Sequence, residues 1–177
     1  MFVSDEEIIK SVVRGEKENY ALIVERYQNV VVNLCYKICG TKLDVEDVAQ
    51  QVFVELYTAL PRFKFQSKLS TFIYRITVNV VSKQLSKQSR MLPQFDAMPE
   101  IVSTTPNIEQ QIAYDEQIKK LHNAIGQLKY EQRTALVLSA FDDFSYQDIA
   151  DVMQCSLTKV ESLIFRAKKN LRKILEA

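Results

Sequence analysis

Backbone breakers are scarce in this chain: its 177 residues include only three glycines (Gly15, Gly40 and Gly126) and four prolines. With apolar residues recurring at spacings of three and four almost throughout, that scarcity predicts an all-α fold. No run of about 18 uncharged apolar residues occurs, so no membrane insertion is expected. The N-terminus opens on Ser4, Asp5, Glu6 and Glu7 rather than a basic patch and an apolar core, so no secretory signal is expected. Cysteine is limited to Cys35, Cys39 and Cys155, an odd number that reads as reduced thiols in a cytoplasmic protein. Cys35 and Cys39 stand one helical turn apart, but they sit in the apolar stretch VVVNLCYKICG and the sole histidine, His122, is remote. Zinc needs about four suitable ligands, so no metal and no cofactor is expected, and His122 reads as a helix residue rather than a base.

Another absence is local. Between Glu55 and Asp96 there is no acidic residue, while the interval holds Arg62, Lys64, Lys68, Arg75, Lys83, Lys87 and Arg90. A second basic run, Lys159, Arg166, Lys168, Lys169, Arg172 and Lys173, contains the single acid Glu161. Net charge is only +1, so the distribution is what informs. Two separate basic surfaces on a near-neutral chain suggest two contacts with a polyanion.

What is present divides the chain into two small helical domains joined by an extended linker. Ser4 and Glu7 form a capping-box signal for a helix to about Arg14. Residues 17–39 carry a long amphipathic pattern. Asp44 can cap a helix whose stripe is Val48, Val52, Leu56 and Leu60, ended by Pro61. Ser67 or Ser70 can cap a further helix to about Gln88, with Leu69, Phe72, Ile73, Ile76, Val80 and Leu85 inward. Residues 1–90 thus read as a helical bundle. Residues 91–106, MLPQFDAMPEIVSTTP, hold three prolines and little periodicity, which suits a linker. Residues 107–177 read as four helices, capped by Asn107, starting again near 130, capped by Ser145 with Asp148, and capped by Ser156. Leu136, Val137, Phe141, Ile149, Ala150, Val152, Val160, Leu163 and Ile164 can supply their core.

The last two helices flank the turn Gln154-Cys155-Ser156, the form of a helix-turn-helix. In that motif the second helix presents its N-terminal half to the major groove. Ser156, Thr158, Lys159 and Glu161 are then candidates for DNA contact, and Arg166, Lys168 and Lys169 for phosphates, which fix register rather than sequence. A helical hairpin with a solvated basic face is the competing reading. In the N-terminal bundle, FKFQSKLSTFIYRI interleaves aromatic and basic residues, a mixture suited to single strands, where bases stack on rings. Phe65 and Lys68 in the connector, with Arg75, Asn79 and Lys83 spaced by four along one helix face, carry this reading; Phe72 serves equally well as core. The helix 44–60 has an acidic and amide-rich outer face, which suits a protein partner better than DNA.

These pieces together resemble a bacterial RNA polymerase sigma factor of the extracytoplasmic-function class. DVEDVAQQVFVELYTALPRF resembles the family's polymerase-docking helix, SKLSTFIYRITVNVVSKQL its promoter-melting segment, and the stretch from Leu121 to Lys173 its −35-reading domain. The resemblance implies that residues 1–90 bind core polymerase and read and melt the −10 element, and that residues 107–177 read the −35 element. It implies that Asp47, Gln50, Gln51 and Phe53 contact the polymerase clamp. It implies that Phe65, Gln66, Ser67 and Lys68 capture an extruded −10 base, an extrusion costing a few kcal/mol, and that Arg75, Asn79 and Lys83 contact −10 DNA. It also implies partners: core RNA polymerase, promoter DNA and an anti-sigma protein, with no catalysis by the chain itself. The family's usual tryptophan in the melting segment is Phe72 here, and Glu161 and Leu163 stand where its recognition helix carries basic residues. Two readings remain beside it: a stand-alone helix-turn-helix regulator with a sensing or dimerising domain, and a protein-only adaptor.

Overall fold

A computed structural model describes residues 3–39, 42–91, 109–141 and 144–176. The expected linker beyond Met91, and the expected Asn107 cap, lie outside the described residues. Among the described residues the regular structure is entirely helical.

Ser4 starts α1 (Asp5–Val13): its hydroxyl accepts from the Glu7 amide, and the Glu7 carboxylate accepts from the Ser4 amide at 2.8 Å. That bonding holds the Glu7 carboxyl below its usual range, the backbone amide of Ser4 contributing most. Gly15 ends the segment at φ 109°, a left-handed conformation that glycine alone adopts without strain. The long helix expected from residue 17 begins later. Residues 17–19 form a 3-10 turn, because the Asn19 amide donates to Ser11 Oγ (2.9 Å) and to the Glu16 carboxylate (3.0 Å), holding the chain tight. α2 then runs Tyr20–Cys39 and buries Ile23, Val31, Leu34, Cys35, Ile38 and Cys39. Arg26 and Tyr27 both reach Asp5 and tie α2 to α1.

Asp44 caps α3 (Val45–Ala59), accepting from the Glu46 and Asp47 amides. Val48, Val52 and Leu56 are its buried stripe, with Leu60 following in the 3-10 turn that contains Pro61. Tyr20 clasps this helix: its hydroxyl donates to the Phe53 carbonyl at 2.6 Å and its ring meets Tyr57 edge-on. α4 (Leu69–Met91) begins between the two serines expected to cap it and runs slightly past the expected end. Leu69, Ile73, Ile76 and Val80 face the core as their spacing predicts, and Phe72 packs half-buried at its edge.

The remaining helices are α5 (Glu109–Gly126), α6 (Tyr130–Phe141), α7 (Tyr146–Met153) and α8 (Leu157–Glu176). Leu136, Val137, Ile149, Ala150, Val152, Val160, Leu163 and Ile164 are all buried, as expected. α8 packs on α6 and α7, and Ala167 is fully buried, which permits close approach.

The two groups of helices share one continuous core. α7 lies against α4, and α6 against α2. At the first seam the Tyr74 and Phe144 rings are 4.7 Å apart, and the Tyr130 hydroxyl donates to the Val78 carbonyl at 2.7 Å. At the second, buried Arg133 donates to the Gly126 carbonyl beside the α2 cysteines. α4 accordingly has two apolar stripes. Tyr74, Val78 and Val81, all under 8 % exposed, form one that the sequence pattern did not separate from the first.

Candidate polymerase and nucleic-acid surfaces

Three surfaces are built on this frame. The outer face of α3 is the first. Asp47 and Gln50 are exposed and Gln51 half-exposed, on one face opposite Val48, Val52 and Leu56. Phe53 sits off that face, half-buried against the core. The residue that completes the face is Val54, 58 % exposed and one turn beyond Gln50 and Gln51. Its sequence signal was an apolar residue out of register with the buried stripe.

The second surface is the connector between Pro61 and α4 with the adjoining α4 face. Phe63, Phe65 and Phe72 form a ring cluster: Phe63 lies 4.9 Å from Phe65 and 4.8 Å from Phe72. The Arg75 guanidinium stands 5.1 Å over the Phe72 ring, a cation–π contact that fixes its head beside the loop. Phe65 is 43 % exposed and has φ 55°, a rare conformation for an aromatic residue. Gln66, Ser67 and Lys68 follow it, all exposed. Arg75, Asn79 and Lys83 fall on one stripe as expected; Lys83 lies 3.4 Å from Glu55 of α3.

The third surface is the helix-turn-helix. The Ser145 hydroxyl accepts from the Asp148 amide and the Asp148 carboxylate accepts from Ser145, so α7 has a full capping box. Gln154 turns the chain at φ 52°, and the Cys155 amide returns to the Ala150 carbonyl at 3.0 Å. Ser156 Oγ accepts from the Lys159 amide, so its side chain starts α8. Thr158, Lys159, Glu161, Arg166, Lys168 and Lys169 are all exposed. Lys159 pairs with Glu131 of α6 at 2.7 Å, and that hydrogen bond holds its ammonium above its usual range. Leu163 is 7 % exposed: it belongs to the core and does not face DNA.

Cys35 and Cys39 are buried in α2, and the Cys39 thiol donates to the Cys35 carbonyl. Burial pushes their thiols up to about 12 and about 11, so they behave as small apolar residues.

Residues 23–91 match the family model "Sigma-70 region 2" and residues 118–171 match "Sigma-70, region 4". The RNA polymerase sigma-H factor of Pseudomonas aeruginosa is 33% identical, over 97% of this chain and 94% of that protein. The chain belongs to the sigma-70 family. The ECF RNA polymerase sigma-E factor of Haemophilus influenzae is 30% identical, over 94% of this chain and 93% of its own length, which puts this sigma factor in the extracytoplasmic-function class. Two solved structures have its fold: CnrH in complex with the cytosolic domain of CnrY (TM-score 0.69, 21% identity, covering 97% of each chain) and the Bartonella quintana sigma factor RpoE in complex with the anti-sigma factor NepR (TM-score 0.70, 18% identity, covering 90% of this chain and 98% of that one).

Membership sets the function: this sigma factor is a promoter-specificity subunit of bacterial RNA polymerase, binding the core enzyme and promoter DNA. No helix among its described residues is long and apolar enough to cross a membrane.

Proposed function

We propose that the three surfaces divide the work of the sigma factor residue by residue. The outer face of α3, Asp47, Gln50 and Gln51 with Val54 added and Phe53 bracing it from the core side, docks on core polymerase. Phe65, Gln66, Ser67 and Lys68 capture an extruded base of the −10 element, while Arg75, Asn79 and Lys83 follow the same strand. Thr158, Lys159 and Glu161 face −35 bases or their phosphates, Arg166, Lys168 and Lys169 hold phosphates, and Ser156 acts by starting the reading helix. The corresponding units are residues 1–90, a linker over 91–106, and residues 107–177. The observation that carries the −10 assignment is the ring cluster: a strained, exposed Phe65 beside Phe63, with cationic groups on both sides. Stacking on such a ring stabilises an unpaired base by about 1–3 kcal/mol, which offsets the few kcal/mol needed to extrude it.

The chemistry of RNA synthesis belongs to the polymerase; this chain supplies binding energy only, and acts in the cytoplasm where its DNA and polymerase are. An anti-sigma protein is a further partner, supported by a solved relative that carries one. Reconstitution with core polymerase tests the whole reading. Promoter-dependent initiation is expected, and sequencing the transcripts on genomic DNA would reveal the promoter bases. No association with core would leave the stand-alone regulator in its place, and association without promoter-dependent initiation would leave the adaptor. Within that assay, Lys68→Ala is expected to slow strand opening while −35 duplex binding stays unchanged. Arg166→Ala is expected to weaken −35 duplex binding across sequences and to lower the log–log salt slope by about 0.9.

A further inference from the structure

The structure assigns a binding site for a free guanine nucleoside monophosphate to the cleft between the connector that precedes α4 and the turn of the helix-turn-helix. The cleft has a volume of about 670 Å³, within the roughly 300–1,000 Å³ of small-molecule sites. Arg62, Lys64 and Arg75 line it from the connector and α4, and Asp151 and Ser156 from the ends of α7 and α8. Phe65 and Lys68, which carry the proposed −10 capture, do not line it.

Charge points to one phosphate group. Three cations against one carboxylate leave an excess of two positive charges in the walls, and a phosphate monoester carries about −1.5 to −2 near neutral pH. Among the described residues, neither Arg62 nor Lys64 pairs with a carboxylate. Ser156 accepts from the Lys159 amide through its hydroxyl oxygen, which leaves the hydroxyl proton for an acceptor. The start of α8 at this residue adds the positive end of a 20-residue helix.

The remaining walls suit a base. The Arg75 guanidinium lies 5.1 Å over the Phe72 ring, and both line the cleft. That pair is a flat shelf of the kind on which bases stack, and a bare anion has no use for it. Asp151 supplies the edge contact. Gln147, one turn back, donates to its carboxylate at 3.4 Å and orients it. Guanine presents two adjacent N–H donors on one edge, which the two oxygens of a carboxylate accept together; adenine presents an acceptor there, which a carboxylate repels. The walls on both sides leave room for one nucleotide and not for its neighbours on a strand. Gln66, Ser67 and Arg75 line the cleft and also belong to the proposed −10 surface, so an occupied cleft withholds them from DNA. That consequence rests on the −10 reading; the binding itself does not.

Isothermal titration of the full chain with GMP tests the site. A dissociation constant of order 10 μM is expected for a ligand of about 24 non-hydrogen atoms. Inorganic phosphate, guanosine and AMP should each bind about tenfold more weakly or worse, and the DNA trinucleotide TGT should bind no more tightly than GMP. Lys64→Gln is expected to lose about tenfold in GMP affinity with helix content by circular dichroism unchanged. Asp151→Asn should erase the preference for GMP over AMP, a change that loss of folding would not produce. No GMP binding at millimolar concentration overturns the site. Phosphate binding as tightly as GMP reduces it to an anion patch and overturns the nucleotide, and tighter binding of TGT overturns the free ligand in favour of a strand. An unchanged preference in Asp151→Asn overturns the base contact. On a −10 strand first defined by transcription with core polymerase, saturating GMP is expected to weaken strand binding by the free chain about tenfold; bound GMP without competition overturns the shared use of Arg75. If no promoter emerges, the functional reading falls and GMP binding is decided by the titrations alone.

Discussion

Phe65 is where backbone strain and proposed function meet. Its φ of 55° places a bulky side chain in the left-handed region, at a cost of about 1–3 kcal/mol, and its ring is nonetheless 43 % exposed. A residue selected for folding alone would be asparagine or glycine. Phe65→Asn is therefore expected to hold or raise stability in urea unfolding, by about 1 kcal/mol at most, because asparagine tolerates this conformation. The same change should weaken capture of a −10 strand by the stacking it loses, about 1–3 kcal/mol. A variant that loses stability and strand affinity together would assign Phe65 to the fold instead. At Leu163 and Glu161 the two departures from the family's basic recognition helix separate. Leu163 is core and leaves the −35 question to Glu161, which is exposed and can accept from a cytosine amine. Lys159 is paired with Glu131, so a phosphate or base binding there would have to displace that carboxylate.

α7 is the shortest α-helix among the described residues. It spans eight residues, too few to persist alone, and relies on its capping box, the Gln154 turn and three buried side chains. Ser145→Ala removes the cap and is expected to cost about 1 kcal/mol, read as a lower urea midpoint. The loss should fall on −35 duplex affinity and leave binding to core polymerase intact; equal loss in both would mean that the cap stabilises more than this helix. Elements of this kind were legible in the sequence because each start carries its own chemistry: Ser4 with Glu7, Asp44, and Ser145 with Asp148. The start of α2 was not, since the tight turn at residues 17–19 depends on Asn19 reaching Ser11 across α1, a contact no local pattern encodes. The α3 face was legible in Asp47, Gln50 and Gln51, whereas Val54 escaped because an apolar residue reads by default as core.

Over the whole molecule, periodicity identified which side chains are buried but not what buries them. Tyr74, Val78 and Val81 are apolar like their neighbours, and only the folded chain reveals that they serve a second seam between its halves. The same seams concentrate groups that titrate far from their usual range. Burial holds the Cys35 thiol up at about 12 and Cys39 at about 11, against an ordinary 9.0, and the Tyr130 hydroxyl at about 12, against 10.0; burial likewise raises Tyr20 and Tyr27. Each is an acid whose folded pKa exceeds its unfolded one. Below pH 9 both states keep the thiol protons and stability is undiminished. Above it the unfolded chain releases protons that the fold retains, so stability declines from about pH 9 and goes on declining until the folded thiols themselves ionise near 11 to 12. Urea unfolding under reducing conditions at steps from pH 7 to 11 is expected to show that decline. In a Cys35→Ala, Cys39→Ala double variant the onset should move to about pH 10, where the unfolded tyrosines begin to titrate. An unchanged onset would mean that water reaches the thiols, and with it the α2–α6 seam.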